Sequence, residues 1–308
     1  MEKEAIEFVL AALPKGRTVF YDFGDRYAVL LLSHALANGE QSISAIKSSQ
    51  FAPLLQKPTI KDITAKLGRS WLAASDLEAC WPHEVDAYRL TLSAWPGLDE
   101  KPRREWHQVS RQGYSLVLQL NMPVSHRREL HKSIENWQSY TSYGSHPVAA
   151  DELTLAWARI DLDFPSGEAL VEEIQSDWVR DVKYYANSKY LENQSAWQTY
   201  RDYLEPRAKH WSRTIMTATL WFLLEELGIK TIFFHTHETG QKMKQIRYSA
   251  PPRSIYTDLP KSFCFRTTHN GPRFLRDAED RHIKSLFSDP ETTWFVHNFD
   301  QVENKDHK

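Results

Sequence analysis

Hydrophobic positions follow two different periods along the chain, and the switch between them divides it. At the start, Ile6, Val9, Leu10 and Leu13 recur at the spacing of one helix face, and Pro14-Lys15-Gly16 ends the run. A β-branched and aromatic stretch at 18–23 predicts a short buried strand. Asp25 then stands where a cap would, ahead of Ala28, Val29, Leu32, Ala35 and Leu36, with Asn38-Gly39 as the stop. A further helical stretch is predicted over 42–55, beginning at Ser42. Thr59-Ile60-Lys61-Asp62 has the form of a capping box for a helix that closes at Gly68. Residues 1–75 therefore read as a mainly helical N-terminal lobe.

From 76 onward the period shortens. Runs at 85–95 and 114–122 read as strands, the second with Leu116, Leu118 and Leu120 at a spacing of two. A helix is predicted over 126–137. The runs 153–163 and 168–178 predict a hairpin, with Pro165 and Gly167 in its turn. A polar, aromatic helix is predicted from 178 to about 205, interrupted by Pro206. A stronger one covers 211–227, with Met216, Leu220, Leu223, Leu224 and Leu227 on one face and Gly228 as its stop. A buried strand at 229–235 follows, and this helix–glycine–strand unit predicts a crossover onto a sheet. A short helix at 241–246, a break at Pro251-Pro252 and a last strand at 262–267 complete the pattern. The expected fold class is α+β: a mixed, mainly antiparallel sheet domain over 76–276, preceded by the helical lobe. From Asp277 the chain turns polar, and 277–308 reads as a C-terminal extension.

Composition changes this picture in four places. The 38 Lys and Arg against 40 Asp and Glu give a net charge of −2, which excludes a uniformly basic nucleic-acid coat but leaves room for local patches. Two cysteines, Cys80 and Cys264, far apart, exclude a disulfide scaffold and a cysteine-rich zinc module and fit a reducing compartment. No apolar run approaches the roughly 20 residues of a membrane span, and Met-Glu-Lys-Glu is too polar for a signal peptide, so a cytoplasmic protein without a membrane partner is expected. The 11 Trp are scattered rather than clustered, which favours packing roles. Trp178, Trp197 and Trp211 leave one local question: whether they line a cleft or fill a core.

Candidate chemistry concentrates in three segments. On the predicted strand at 168–178, Val171, Glu173, Gln175 and Asp177 share a face. Three polar groups in a row there need water, partners or a ligand. Glu173 as general base, with Gln175 orienting a substrate, is the functional reading; a solvated sheet face is the plain one. Second, His235-Thr236-His237-Glu238 ends a predicted strand, where His235 and His237 would point the same way. That suits a metal pair in a hydrolase, or a substrate contact. Cys264, between Phe263 and Phe265, reads as an inert thiol in a buried strand. Third, 183–213 carries Lys183, Lys189, Arg201, Arg207, Lys209 and Arg213 against Glu192, Asp202 and Glu205, interleaved with tyrosines and tryptophans. Cations set among stacking rings suit single-stranded nucleic acid, although Trp197, Tyr200 and Leu204 also mark a buried helix face. Lys242, Lys244, Arg247 and Arg253 form a smaller basic patch.

The segment Ala169-Leu170-Val171-Glu172-Glu173-Ile174-Gln175-Ser176-Asp177-Trp178 resembles the EIQSDW-containing domain of phage and mobile-element polyvalent proteins. The order downstream is similar too, ending in Tyr256-Thr257-Asp258-Leu259-Pro260. The resemblance spans about 150–265; Val179 stands where that family has a histidine, and no activity comes with it. The element order also resembles that of GNAT-type N-acyltransferases, which seat the pyrophosphate of acyl-CoA on a helix N-terminus. The matching place here is Arg207-Ala208-Lys209-His210-Trp211-Ser212, with His210 and Ser212 at the small-residue positions and Arg213 following. That resemblance implies Glu173 as base, Tyr256 as acid, and Arg207, His210, Ser212 and Arg213 as contacts to acyl-CoA. The readings carried forward are a group (acyl) transferase acting on a small-molecule or protein substrate, a non-catalytic module contacting nucleic acid or a host protein through 183–213, and a metal-dependent hydrolase at His235 and His237.

Overall fold

A computed structural model describes residues 1–12, 19–79, 81–103, 107–140, 146–149, 152–246 and 253–299. The elements are, in chain order, α1 (Lys3–Ala12), β1 (Val19–Asp22), α2 (Arg26–Ala35), β2 (Gln41–Ser42), α3 (Ile43–Lys47), α4 (Pro58–Leu67), β3 (Trp71–Leu72), α5 (Ala74–Glu78), β4 (Asp86–Trp95) and β5 (Ser115–Asn121). They continue as α6 (Val124–Ser133), β6 (Thr154–Asp163), β7 (Glu168–Gln175), α7 (Asp177–Asn187), α8 (Gln194–Ala208), α9 (Trp211–Trp221) and β8 (Thr231–His235). The last are α10 (His237–Lys244), α11 (Ser254–Ser262), β9 (Arg266–Thr268), α12 (Arg273–Arg276), α13 (Arg281–Phe287) and β10 (Trp294–Asn298). The fold class is α+β with mixed, mainly antiparallel sheet structure. No described helix is long and apolar enough to cross a membrane.

The chain forms two compact units, neither continuous in sequence. The first comprises Met1–Tyr21, Ala87–Leu162 and Val171–Thr219; the second comprises Asp22–Asp86, Asp163–Leu170 and Leu220–Lys308. The sequence boundaries at 75 and 276 coincide with neither.

In the first unit β4, β5 and β6 pair in antiparallel register, with Leu92 opposite Leu118 and Leu118 opposite Ala158. Every residue of β5 is buried, so its polar side chains must find partners inside the protein. Gln119 accepts from the Thr91 hydroxyl at 2.6 Å and donates to the Pro147 carbonyl at 2.9 Å. Asn121 donates to Thr91 at 2.9 Å and accepts from Thr154 at 2.8 Å. The bond to Pro147, with Ala149 N–H donating to the Thr154 hydroxyl at 3.2 Å, ties the segment 146–149 to the strands. Helices α7 and α8 pack through Trp178, Val182 and Ala186 against Trp197, Tyr200 and Leu204. Trp178 meets Trp197 and Tyr200 edge-on at 5.9 and 5.8 Å and donates its indole N–H to the Tyr200 hydroxyl at 3.2 Å. Trp178 and Trp197 thus fill a core; Trp211, half-buried, opens α9.

In the second unit β10 lies between β8 and β9 and pairs antiparallel with both, Trp294 standing opposite His235 on one side and Thr268 on the other. Leu170, Phe233, Met243, Leu275, Ile283 and Trp294 build its core. Gly271 gives Trp294 its room: a Cβ there would lie 2.4 Å from the indole nitrogen. The stretch read as a polar extension from 277 therefore supplies α13 and β10. Its apolar residues fall in two brief groups, Ile283, Leu286 and Phe287 and then Trp294, Phe295, Val296 and Phe299, each too short to establish a period among the polar residues around it.

Other local expectations change for identifiable reasons. Asp25 makes no cap bond to α2; its carboxylate instead accepts from Thr59 N–H at 3.1 Å, at the start of α4. With Pro58 opening that helix, Thr59 lies inside it and the capping box does not form. The stretch 42–55 breaks into α3, capped by Ser42, and a separate 3-10 turn at Ala52–Gln56, while Ser42 also pairs with Trp71 in a two-stranded ribbon. Pro206 sits inside α8, near its end. The strand predicted over 262–267 forms only from Arg266, as β9; Ser262 ends α11, and Cys264 takes a positive φ of 57° in the turn between them. Burial pushes that thiol up to about 11. The predicted break at Pro251-Pro252, Cys80 and Arg247 fall outside the described residues.

Candidate active site

The first unit gathers its buried charge where β7 gives way to α7. The strand ends at Gln175, so Asp177 belongs to the first turn of a helix and not to the strand face that holds Glu173. Ser176 is the N-cap: its hydroxyl accepts from Val179 N–H at 3.2 Å and donates to the Leu155 carbonyl. A carboxylate in the first turn is favoured by the helix dipole and by unpaired N–H groups.

Asp177 is buried and surrounded by donors. His146 Nδ1 lies 2.7 Å from one oxygen, Arg180 Nη2 donates to that oxygen at 2.8 Å, Trp157 Nε1 donates to the other at 3.0 Å, and Gln175 Nε2 donates as well. Burial alone would raise the carboxyl's pKa; hydrogen bonds from His146, Trp157 and Gln175, with the charge of His146, outweigh it and hold Asp177 below the usual carboxylate range. An ionised Asp177 requires the proton on Nδ1 of His146, which makes Nε2 the basic nitrogen. The Trp157 ring stands edge-on to the imidazole at 6.2 Å. The His146 side chain is 30% exposed while that of Asp177 is 1% exposed, the arrangement of an accessible base on a buried orienting acid.

Glu173 is not available in that way. Arg159 Nη2 donates to it at 2.8 Å, and the same guanidinium donates to the carbonyls of His107 at 2.6 Å and Gln108 at 2.8 Å. The carboxylate is thus taken up by an ion pair with a buried guanidinium. Glu172, fully buried, accepts from the N–H and the hydroxyl of Ser110 at 3.0 and 2.8 Å. The two glutamates of the motif thus anchor the segment 107–110, and Gln175 and Asp177 hold His146.

The remaining sequence candidates sit elsewhere. Arg207 lies in the last turn of α8, and His210, Ser212 and Arg213 surround the start of α9. Burial, and then the charges of Arg213 and Lys209, push the pKa of His210 down, so this helix start carries positive potential. His235, His237 and Tyr256 belong to the second unit. His235 ends β8, fully buried against the Trp294 ring at 5.1 Å. His237 begins α10, so strand alternation does not align the two rings. Among the described residues no group of three metal-ligating side chains comes together. Tyr256 is buried on α11, stacked on Phe234 at 5.3 Å, and His237 touches its edge.

His146, Arg159 and Ser110 carry this site and were not singled out in the sequence. Arg159 left a signal: a lone cation in the apolar run 153–162. His146 left none, because its role comes from a loop folding back over the sheet. Comparison with models of known families, with curated proteins and with solved structures finds no match.

Proposed function

We propose that this protein is a group-transfer enzyme in which His146, oriented by Asp177, is the general base. The observation that carries the reading is the dyad itself: a buried, ionised carboxylate with four donors, fixing a half-buried imidazole at 2.7 Å. Nε2 would take the proton from an acceptor amine or hydroxyl as that group attacks the donor carbonyl, and return it to the leaving group. Acyl-CoA is the donor class that fits the cation-rich start of α9, where Arg207 and Arg213 would meet its phosphates. The EIQSDW-like segment supports the reading because its Gln, Ser and Asp build the dyad's support. Trp157 and Arg159 would serve as positioning residues.

The test uses acetyl-CoA with water or a small primary amine as acceptor, following release of the free thiol. The parent protein is expected to release thiol and to gain thermal stability with millimolar acetyl-CoA. His146→Gln should lower kcat about 100-fold or more with little change in KM, and Arg213→Ala should raise KM. No stabilisation and no thiol release by the parent would refute the transferase reading.

A further inference from the structure

We infer that the outer face of α7 and the loop that follows it bind single-stranded nucleic acid, one base on Tyr184 and a neighbouring base on Tyr190. Arg180, Lys183, Tyr184 and Asn187 recur at helical spacing on one face, and with Ser188 they line an open groove of about 350 Å³. Tyr184 is 66% exposed and Tyr190 97% exposed, unusual values for rings of this size. The sequence pairs each ring with a cation, Lys183-Tyr184 and Lys189-Tyr190. Both lysines are exposed, and neither has an ion-pair partner among the described residues. Arg180 differs, since Asp177 and Asp181 balance its charge at 2.8 and 3.3 Å. Each exposed ring therefore has an adjacent lysine with no ion-pair partner among the described residues. A single strand offers one phosphodiester charge per base, and an unpaired base offers the π-face a tyrosine needs. Asn187 donates its amide to the Lys183 carbonyl at 2.7 Å, which turns its side-chain oxygen into an acceptor for a base edge. A duplex hides its base faces and loses the stacking contribution.

The buried aromatics confine the site. Trp178, Trp197 and Tyr200 are interior, and Tyr203 on α8, 39% exposed, leans on His126 at 4.6 Å, so the most exposed rings of 183–213 are Tyr184 and Tyr190. The inference stands whether or not His146 is catalytic, because no contact in it uses the imidazole.

The test is fluorescence anisotropy of a labelled oligothymidylate of about 15 nucleotides with the full chain, at rising salt, beside a duplex of equal length. The expected result is salt-dependent binding of the single strand that exceeds duplex binding. Tyr184→Ala and Tyr190→Ala should each weaken it about fivefold or more, and Lys183→Glu should weaken it and flatten the salt slope. Phe8→Ala, an exposed ring on α1, should leave binding unchanged. Equal affinity for duplex, no binding at low salt, or full affinity in both tyrosine variants would overturn the inference. All four positions are exposed, so the variants keep the fold.

Discussion

Acid should unfold the second unit through one residue, His297. Its ring is buried in β10, stacked on Phe299 at 4.0 Å, with Phe51 and Phe265 against it, and neither ring nitrogen has a hydrogen-bond partner among the described residues. Burial first, then the charges of Arg266 and His34, lower its pKa from 6.5 to about 3. The folded state therefore excludes a proton that the unfolded chain accepts. The stability is fully present above pH 6.5 and is lost progressively as pH falls toward 3. At about 1.4 kcal/mol per pH unit, the fall from 6.5 to 4 removes roughly 3 kcal/mol. That is a large fraction of the stability of an ordinary domain. Guanidinium unfolding at pH 7.5 and pH 4 measures it. His297→Leu should match or exceed the parent at pH 7.5, since it removes an unsatisfied buried polar group, and should lose roughly 3 kcal/mol less on acidification. Equal acid sensitivity in parent and variant would refute the argument.

Three further outcomes follow from the packing. His126, buried beside Tyr200 with its pKa lowered to about 3 by burial and then by Arg207, should give the first unit the same direction of acid sensitivity, relieved in His126→Leu. Gly271→Ala drives a methyl to 2.4 Å from Trp294 and 2.8 Å from Phe287, two stacked rings that cannot both yield. It should cost about 1–3 kcal/mol, read as a lowered Tm, and an unchanged Tm would count against the close packing. Arg159→Met removes a charged donor from Glu173 and from the His107 and Gln108 carbonyls, although Trp95 Nε1 still donates to the former carbonyl at 3.1 Å, and should cost about 3 kcal/mol in chemical denaturation, with Arg159→Met/Glu173→Met recovering part; a loss under about 1 kcal/mol contradicts the pairing.

Legibility in the sequence tracked how local the deciding force was. The period of two in β5 and the glycine stop at 68 were readable because neighbours in sequence decide them. The fold class followed from those periods. Asp25 was read as a cap for its own helix because a cap's sequence signature is local, whereas its partner, Thr59, lies 34 residues on. β10 was missed because Trp294–Asn298 is a short run behind a polar, charged stretch, and pairing with β8 and β9 on either side is what makes it a strand. Of the site, Gln175 and Asp177 were found by strand alternation, even though Asp177 proved to be helical. His146 is placed by hydrogen bonds from segment 146–149 to Gln119 and Thr154, and spacing along the chain carries no trace of them.

The position of β10 has a consequence for how the chain is made. All segments of the first unit have been synthesised once residue 219 has emerged. The second unit cannot close its strand order until 294–298 appear, because the strand made last goes into the middle. Until then β8 and β9 each present an open edge to the surroundings, the condition under which strands pair with the wrong neighbour. A ribosome pausing between 268 and 294 would hold the nascent protein half-built in this sense, so the tempo of translation over those two dozen codons bears on yield.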